Sequence, residues 1–433
     1  MAQVPLTANE QLLLELVNRA RLDPAAEAVR YGISLNEGLA PGTLSSRPMQ
    51  PLAPNGYLVD SARKHSVWMI NTDNFSHTGA GGSSAGTRMT QSGYAFTGNW
   101  TWGENIAWSG TTGTPNVTLT TIELHENLFL SPGHRTNILE DYFRELGTGI
   151  TTGVFTSGGR NWNAVMATEN FATSGAKFYV TGVAYTDRDN DKFYDVGEAR
   201  SGVTVTVKSG ATTLGTDVTE TAGGYSVGVT TTTGTVTFSG GGLTAPVSVS
   251  IIGGALNAKV DLVGWSTIYS SASATLGGGA SSLRLLGSVD ITGTGNTIAN
   301  TITGNAGKNT INGHLGNDIL TGGANTDSFL FNTALNATSN RDTITDFSVP
   351  QDTIRLENTG SGVFTLLANG ALNAAFFKAN ASGAATDAND RIIYSTTTGA
   401  LFYDTNGNVA GGATQFAVLS NKAALTAADF FVV

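Results

Sequence analysis

Cysteine is absent from this 433-residue sequence, and charged residues are scarce at 13%. Without thiols there is no disulfide framework and no thiolate metal site, so any metal must be held by oxygen or imidazole ligands. The 23 Lys and Arg residues are outnumbered by 33 Asp and Glu residues, which gives a formal net charge of −10. This balance disfavours nucleic acids and anionic membranes as partners and favours cations, calcium first and zinc second.

Long apolar runs are also absent, since no stretch approaches the ~18 apolar residues of a membrane span. The first residues, MAQVPLTANEQLLLELVNRARLD, have no basic start, no unbroken apolar core and no small-residue cleavage site, so a Sec signal peptide is not expected. The 55 glycines do not fall at every third position, which excludes collagen. At this length we expect roughly three domains.

Residues 1–173 show a helical pattern with long polar loops. Thr7 and Glu10 form a capping box ahead of apolar residues at helical spacing, and a further helix is predicted at 117–130. Short alternating stretches such as 162–171 are typical of strands in a covered sheet. These patterns together predict a compact α+β domain.

Six motifs in this segment resemble the CAP superfamily, which takes in cysteine-rich secretory proteins, antigen 5 and pathogenesis-related proteins, and specifically its cysteine-free bacterial branch. The motifs, in family order, are Asn18-Arg-Ala-Arg-Leu22, Ala62-Arg-Lys-His-Ser66, Phe75-Ser-His-Thr-Gly79, Gly103-Glu-Asn-Ile-Ala107, Ser131-Pro-Gly-His-Arg-Thr-Asn-Ile-Leu139 and Leu146-Gly-Thr-Gly149. The resemblance implies an α-β-α sandwich with a surface cleft.

The resemblance also implies that the cleft carries two histidines and two glutamates. The motifs place the histidines at His77 and His134 and the first glutamate at Glu104. A helix-to-loop junction at 132–133 is expected just before His134, so that this histidine points away from a helix end. We therefore expect the three side chains to lie close together.

The second glutamate of the family has no clear counterpart. Ser131 lies where the helix before the second histidine should supply it, and Glu126 and Glu123 lie further back along the chain. The motifs therefore do not establish a complete set of four. Two imidazoles and a carboxylate could bind zinc with an open position, work as an acid–base set, or hold loops together by hydrogen bonds. The sequence leaves these alternatives open.

Residues 177–264 are rich in Thr, Val and Gly in short alternating runs, which predicts a small β-sandwich. Within this segment lies a calcium loop, residues 187–198, with the ligand spacing of a twelve-residue EF-hand loop. The carbonyl of Phe193 stands at position 7, and carboxylates stand at positions 1, 3, 5, 9 and 12, namely those of Asp187, Asp189, Asp191, Asp195 and Glu198. We predict a calcium site; the alternative is a solvated acidic turn.

The calcium loop departs from an EF-hand in two ways. Lys192 occupies position 6, where glycine is expected, and β-patterned sequence flanks the loop instead of a helix pair. The loop therefore resembles the calcium loops of β-sandwich domains in bacterial surface proteins, which are related to the prealbumin-like modules. That resemblance implies a structural role for the ion.

A nine-residue repeat follows, after a strand-rich connector that begins at residue 265. Each unit has a glycine-rich turn, a carboxylate or amide at its sixth position and a large apolar residue at its eighth. The registers are Gly295, Gly304, Gly313 and Gly322, then Asn300, Asn309, Asp318 and Asp327, then Ile302, Ile311, Leu320 and Phe329. Glycine permits the turn, side-chain oxygens and turn carbonyls face a cation, and the apolar residue enters a flat core. We therefore predict a parallel β-roll; the alternative is a Gly/Asn-rich solenoid without metal.

The repeat resembles the repeats-in-toxin (RTX) nonapeptide, which implies calcium binding. The family's aspartate matches at Asp318 and Asp327, whereas Asn300 and Asn309 depart from it, so weaker calcium binding is expected there. Turns on one edge of such a roll belong to alternate repeats. We therefore expect Asp327 to pair with Asn309, and Asp318 with Asn300.

The last hundred residues are again β-like. Motifs at 342–347, 351–356, 399–404 and 429–433 resemble the C-terminal caps of type I secreted repeat proteins. That resemblance implies export in one step through a channel spanning both membranes, with the type I secretion machinery as a partner and an extracellular destination. It also accounts for the missing Sec signal.

The predicted architecture is multidomain. It comprises a CAP-like α-β-α domain at 1–173, an all-β sandwich at 177–264, a connector and β-roll at 265–331 and a β-rich cap at 332–433. The predicted function is that of a secreted calcium-binding protein whose β-roll and β-sandwich fold on calcium after type I export. Its CAP domain is predicted to be a binding or adhesion module for an unknown extracellular ligand. The alternative is an extracellular, metal-assisted hydrolase or peptidase that uses the cleft; the incomplete set of cleft residues favours binding.

Overall fold

The computed structural model describes residues 4–359 and 363–433. The chain divides into two compact units. Unit 1 holds the described residues as far as Pro246 together with Ile252–Trp265, and unit 2 holds Val247–Ile251 and Ser266–Val433. The chain is therefore multidomain, and each unit has its own architecture.

The N-terminal part of unit 1 combines helices with a four-stranded sheet. The helices are α1 (Ala8–Leu22), α2 (Pro24–Arg30), α3 (Gly56–Thr72), α4 (Ala85–Gln91), α5 (Val117–Leu130) and α6 (Pro132–Ile138), with a 3-10 turn at Ala80–Gly82. The strands are β1 (Ala53–Pro54), β2 (Thr101–Thr111), β3 (Glu145–Ser157) and β4 (Arg160–Thr173), in the order β1-β3-β4-β2. The predicted helix at 117–130 is confirmed as α5. Within the described residues, none of the helices has the length and apolar character that crossing a membrane requires.

Helices cover both faces of this sheet. α3 lies so close to β3 that a Cβ added at Gly147 would stand 2.1 Å from the carbonyl carbon of Leu58, so only glycine fits there. Alternate residues of β4 face opposite sides, because Met166 joins a cluster with Met69 of α3 whereas Val165 packs with Leu13 of α1. The predicted α-β-α sandwich is confirmed.

The rest of the chain is built from strands. They are β5 (Phe178–Tyr185), β6 (Val203–Ser209), β7 (Thr212–Val218), β8 (Gly224–Val229), β9 (Thr233–Gly240), β10 (Val247–Ile252), β11 (Ala258–Val263), β12 (Thr267–Ser270), β13 (Ser273–Leu276), β14 (Ser282–Leu285), β15 (Thr292–Thr294), β16 (Thr301–Thr303), β17 (Thr310–Asn312), β18 (Ile319–Thr321), β19 (Ser328–Phe331), β20 (Asp342–Ile344), β21 (Thr353–Leu356), β22 (Gly370–Ala371), β23 (Phe377–Asn380), β24 (Ile392–Ser395), β25 (Ala400–Asp404), β26 (Ala413–Leu419) and β27 (Phe430–Val432). Two 3-10 turns lie among them, at Ala374–Phe376 and Ala427–Asp429.

The C-terminal part of unit 1 is a small β-sandwich. In one sheet β6 pairs with β7 and β9, and in the other β5 pairs with β8 and β11. The inward residues Val203, Val205 and Val207 of β6 are fully buried, as the alternating pattern predicts. Tyr225 of β8 meets Phe238 of β9 with ring centroids 5.9 Å apart, which joins the two sheets.

Buried polar groups join the sandwich to the helical part of unit 1. Lys259 of β11 makes ion pairs with Glu15 of α1, at 2.8 Å, and with Asp261. Asn257 donates a hydrogen bond from its side-chain amide to the carbonyl of Arg144 at 2.7 Å. Buried charges and amides are costly unless they are paired, so these contacts fix how the two parts of unit 1 meet.

Unit 2 is a parallel β-roll with two columns of strands. One column runs β13-β15-β17-β19-β21-β27 and the other β12-β14-β16-β18-β20-β26, with every neighbouring pair parallel. The apolar position of the repeat is fully buried in all four units, at Ile302, Ile311, Leu320 and Phe329. Antiparallel strands β24, β25 and β26 lie at the end of one column. The predicted β-roll with a β-rich cap is confirmed.

Candidate functional site

The predicted cleft residues gather around the buried carboxylate of Glu104 on β2. Its Oε1 lies 2.9 Å from Nδ1 of His77, and its Oε2 accepts a hydrogen bond from Nη2 of Arg88. Arg88 also donates from Nη1 to the backbone carbonyls of His77 and Ser83, at 3.0 and 2.8 Å. Both oxygens of Glu104 are therefore already engaged by protein groups. The region of His77, Glu104 and His134 is called the histidine cleft below.

His65 lies behind the histidine cleft, on α3. Its side chain is buried, and its Nε2 lies 3.0 Å from the carbonyl oxygen of Ser76 and 4.0 Å from Oε2 of Glu104. Its ring stacks on that of Trp68 with centroids 5.6 Å apart. Burial lowers the pKa of His65 to about 4, so the ring is neutral at pH 7 and can donate from Nε2 to Ser76. It acts as a packed core histidine.

His134 lies in the first turn of α6 and not in a loop. The expected helix-to-loop junction at 132–133 is wrong, because Pro132 begins a new helix, a position that proline favours. Nδ1 of His134 lies 2.9 Å from Oγ of Ser131. Burial, and then the charge of His77, lowers the pKa of His134, which keeps its imidazole neutral at pH 7.

The place of the family's second glutamate is taken by the hydroxyl of Ser131, which is bonded to His134. Glu123 accepts a hydrogen bond from Ser109 at an exposed position, 3.2 Å away. Among the residues that the structure describes, neither Glu123 nor Glu126 makes a hydrogen bond to the histidine cleft. The set of four therefore stays incomplete.

A buried acid that the sequence analysis missed lies next to the histidine cleft. Glu169 on β4 is fully buried, and its Oε2 accepts a hydrogen bond from Nδ2 of Asn105 at 2.9 Å. The same amide donates to the carbonyl of His134 at 3.2 Å. Burial raises the pKa of Glu169 to about 7. Its one signal in the sequence is that it is the single charged residue of the predicted strand stretch 162–171.

The geometry of the histidine cleft does not favour a metal site. The structure brings His77 and Glu104 into contact, whereas the ring of His134 lies 2.9 Å from Oγ of Ser131. Across residues 4–359 and 363–433, a single group of three side chains has ligand atoms within 4.8 Å of one another, and it lies in the calcium loop. Zinc held by His77, His134 and Glu104 is therefore not supported.

The calcium loop gathers its first three carboxylates at one point. Ligand oxygens of Asp187, Asp189 and Asp191 lie within 4.8 Å of one another, and Oδ1 of Asp187 is buried with no hydrogen-bond partner in the part of the chain that the structure describes. Lys192, at the position where glycine was expected, adopts the left-handed conformation with φ 72°, and its N–H donates to Oδ2 of Asp187 at 3.2 Å. The turn therefore has EF-hand geometry at position 6 despite the lysine.

The remaining predicted ligands of the calcium loop lie around this point. Glu198 is buried and accepts hydrogen bonds from the N–H groups of Arg188 and Asp195, at 2.6 and 3.2 Å. Burial, and then the charges of the neighbouring loop carboxylates, raises the pKa of Asp195. The N–H of Phe193 donates to Oδ1 of Asp191 at 2.7 Å, which closes the loop. Such a cluster of oxygen donors fits a hard cation.

In the β-roll, the sixth positions of alternate repeats form two ladders. The N–H of Asn300 donates to Oδ1 of Asp318, and the N–H of Asn309 donates to Oδ1 of Asp327, both at 2.7 Å. All four residues are buried. The expected neighbours are therefore in contact.

Each ladder contains one more aspartate than the repeat period indicates. The N–H of Asp318 donates to Oδ1 of Asp342 at 3.1 Å, and the N–H of Asp327 donates to Oδ1 of Asp352 at 3.0 Å. These steps span 24 and 25 residues instead of 18, so they fall outside the nine-residue register. The acidic cap motifs around Asp342 and Asp352 were their only signal. Each expected pair is therefore followed by a second aspartate, Asp342 in one ladder and Asp352 in the other.

The ladders leave buried oxygens that fit a cation. Oδ2 of Asp318 and Oδ2 of Asp327 are buried without a hydrogen-bond partner among the described residues. A Cβ added at Gly313 would lie 2.3 Å from Oδ2 of Asp318 and 2.8 Å from Oδ2 of Asp342, so glycine keeps this space open. Burial raises the pKa of Asp318 to about 6, and burial followed by the charge of Asp318 raises that of Asp342 to about 8. Free carboxylate oxygens facing an open space are the donor set that calcium prefers.

Two family profiles match the chain. That of the CAP family, described as the cysteine-rich secretory protein family, matches residues 14–196. That of the RTX calcium-binding nonapeptide repeat matches residues 294–329. Both resemblances drawn from the motifs are confirmed. The prealbumin-like resemblance of the sandwich is not confirmed by these matches and stays a prediction.

Among solved structures, an extracellular protein containing an SCP domain from Bacillus anthracis strain Ames is 22% identical over 39% of this chain and 44% of its own, with a TM-score of 0.24. An outer surface protein from Borrelia burgdorferi is 10% identical over 40% of this chain and 97% of its own, with a TM-score of 0.26. The protein BmVAL-1 is 13% identical over 40% of this chain and 81% of its own, with a TM-score of 0.27. The chain thus spans less than half of the Bacillus protein. No curated protein matches it.

Proposed function

We propose that this chain, which contains a CAP domain and RTX calcium-binding repeats, is a secreted protein whose β-roll folds on calcium outside the cell and whose CAP domain binds an extracellular ligand. One observation carries the proposal: Oδ2 of Asp318 and Oδ2 of Asp327 are buried and unpartnered in the described structure. An ionised carboxylate oxygen in that position costs free energy, which a bound cation relieves. RTX repeats bind calcium, and calcium takes oxygen ligands.

Export by the type I route follows from the same repeats, because RTX repeats imply type I secretion. A roll that is unstable without calcium stays unfolded inside the cell, where calcium is scarce, and folds after export, where calcium is abundant. Truncation before Ile392 removes β24–β27 and is expected to retain the protein in the producing cell. The ratio of protein in the medium to protein in the cells measures this; normal secretion of the truncated form would contradict type I export.

Binding fits the histidine cleft better than hydrolysis. A general base needs a free lone pair within reach of its substrate, whereas both oxygens of Glu104 are held by His77 and Arg88. Ser131 stands in place of a second carboxylate. The purified full chain, with calcium present, is therefore expected to show no turnover of generic peptide and ester substrates, with or without added zinc.

A metal-assisted hydrolase is the second candidate, and one observation favours it. Burial lowers the pKa of His134, and a neutral imidazole at pH 7 can accept a proton or a zinc ion. Zinc-dependent turnover that is lost in His134→Ala and retained in Glu123→Gln would favour this candidate over the binding module. Zinc binding without turnover would leave the cleft a binding site.

A further inference from the structure

A groove of about 640 Å³ opens on unit 1, and none of its lining residues belongs to the histidine cleft or to the calcium sites. Three aromatic side chains line it: Trp100 is 54% exposed, Tyr142 is 74% exposed, and Phe178 is half-buried. Its volume lies in the range of small-molecule sites, roughly 300–1,000 Å³. Exposed aromatic rings that line one concavity indicate a contact site.

One wall of the groove is fixed by hydrogen bonds and ring contacts. The Trp100 ring contacts Phe96 with centroids 5.1 Å apart, and Phe96 in turn contacts the buried Tyr94 at 5.0 Å. The N–H of Gly175 donates to the carbonyl of Thr97 at 2.8 Å, which attaches the loop before Trp100 to the end of β4. The wall is therefore formed before any ligand arrives.

A second wall, which includes Tyr142 and Phe178, is tied to the same segment at the end of β4. The hydroxyl of Thr173 donates to the carbonyl of Tyr142. The guanidinium of Arg144 lies 4.7 Å from the ring centroid of Phe178, and its Nη1 donates to the carbonyls of Gly175 and Lys177, each at 3.2 Å. The backbone of both walls is therefore held in place, which reduces the ordering entropy that a ligand pays when it binds.

Polar side chains also line the groove. They are Asn99, Thr101, Gln50 and Asp141. An apolar ligand would cover the polar groups of Asn99, Thr101 and Asp141 without satisfying them, at a cost in free energy. Gln50 already accepts a hydrogen bond from the N–H of Asn257 at 3.0 Å. An anionic ligand is disfavoured, because the chain carries a net charge of −10 and the positive charge of Arg144 in the lining is balanced by the negative charge of Asp141. A ligand with flat C–H faces and many hydroxyl groups matches both the rings and the amides.

We propose that this groove binds a neutral carbohydrate chain, with Trp100 and Tyr142 as stacking platforms and the polar side chains as partners for sugar hydroxyls. The ring faces exclude water from the C–H face of a pyranose, and amide and carboxylate groups exchange hydrogen bonds with its rim. This site and its ligand class go beyond the calcium-dependent function proposed above. Loss of one would leave the other intact.

Affinity electrophoresis of the calcium-loaded full chain tests the proposal. Native gels contain one of four neutral polysaccharides: laminarin, xylan, mannan or hydroxyethylcellulose. We expect at least one to retard the wild-type protein, and we expect Trp100→Ala and Tyr142→Ala each to weaken the apparent Kd by roughly tenfold. Trp265→Ala is the matched control, because Trp265 is a comparably exposed tryptophan of unit 1, 59% exposed, outside the groove.

Retention of binding in Trp100→Phe, which keeps an aromatic face, would support stacking. No retardation by any of the four polysaccharides would overturn the proposal, and so would equal retardation of the wild type and both alanine variants. Circular dichroism of each variant with calcium shows that a lost signal does not come from misfolding. Capture of an apolar probe such as a fatty acid, lost in Trp100→Ala without any polysaccharide binding, would assign the groove to a lipid instead.

Discussion

The backbone N–H of Asn300 donates a hydrogen bond to the side chain of Asp318, which lies 18 positions later in the chain and is buried. The bond uses Oδ1, and Oδ2 of the same carboxylate is left without a partner among the described residues. One residue thus has a structural oxygen and a free one. The free oxygen faces the space beside Gly313, which Asp342 also borders.

Asp342→Asn is expected to weaken calcium binding by the β-roll by about tenfold or more, because it removes one of two carboxylates that face the same space. The amide oxygen can still accept the bond from the N–H of Asp318. The calcium-free form should become more stable, since an amide at this buried position needs neither the burial of a carboxylate nor the uptake of a proton. Calorimetric titration with calcium and chemical unfolding in chelator measure the two effects. Asp60→Asn, a surface change in unit 1, serves as control; unchanged calcium affinity in Asp342→Asn would contradict the ladder.

Asp189→Ala is expected to weaken calcium binding by the calcium loop more than Asn309→Ala weakens it in the roll. The first change removes one of three carboxylates whose oxygens lie within 4.8 Å. The second removes a neutral amide whose oxygen already accepts a bond from the N–H of Asn305 at 2.6 Å. Calcium titrations of the two variants, each analysed for its own site, decide the ranking. Equal losses would show that charge does not govern affinity here.

Arg88→Ala is expected to destabilise unit 1 by about 3–5 kcal/mol, because it leaves the buried carboxylate of Glu104 without its cationic partner. Chemical unfolding of the unit 1 transition measures the loss. Lys64→Ala breaks an exposed ion pair with Asp60 and should cost less than about 1 kcal/mol. Adding Glu104→Gln to Arg88→Ala should recover part of the stability; no recovery would mean that the ion pair is not the cause.

Acidification should destabilise unit 1 between about pH 6.5 and 4. The pKa of His65 is lowered from its ordinary value of 6.5 to about 4 by burial, so the unfolded chain takes up a proton before the folded one does. The stability that the neutral His65 ring contributes to the folded state is fully present above pH 6.5 and is lost as the pH falls through 4. His65→Gln, which keeps an N–H donor for Ser76, should flatten this part of the stability profile. His314→Gln, in unit 2, should leave it unchanged; an unaltered slope in His65→Gln would refute the assignment.

The β-roll was predictable from the sequence because its repeats have a fixed length. Residues two repeats apart in the chain are therefore expected to be neighbours in space. Asn300 and Asp318 were expected to pair from spacing alone, and they are in contact. Asp342 and Asp352 were not expected in the ladders, since longer connections precede them and break the nine-residue register. No local pattern reveals which residue continues a ladder after such a break.

Less of the histidine cleft than of the β-roll was predictable from the sequence. The motifs brought out His77 and Glu104, which lie 2.9 Å apart, but they gave no sign of Arg88 as the partner of Glu104 or of Glu169 behind Asn105. These are single residues on distant elements, and only tertiary packing brings them together. The domain limits at 173, 264 and 331 stay predictions.

Circular dichroism of the purified full chain during chelation and calcium titration tests the central claim most directly. The calcium-free protein at pH 7 is expected to lose the β signal of the roll while unit 1 keeps its helices, and added calcium should restore the signal. The double variant Asp318→Asn with Asp327→Asn should respond far less to calcium. A β signal that stays unchanged after chelation would contradict the account.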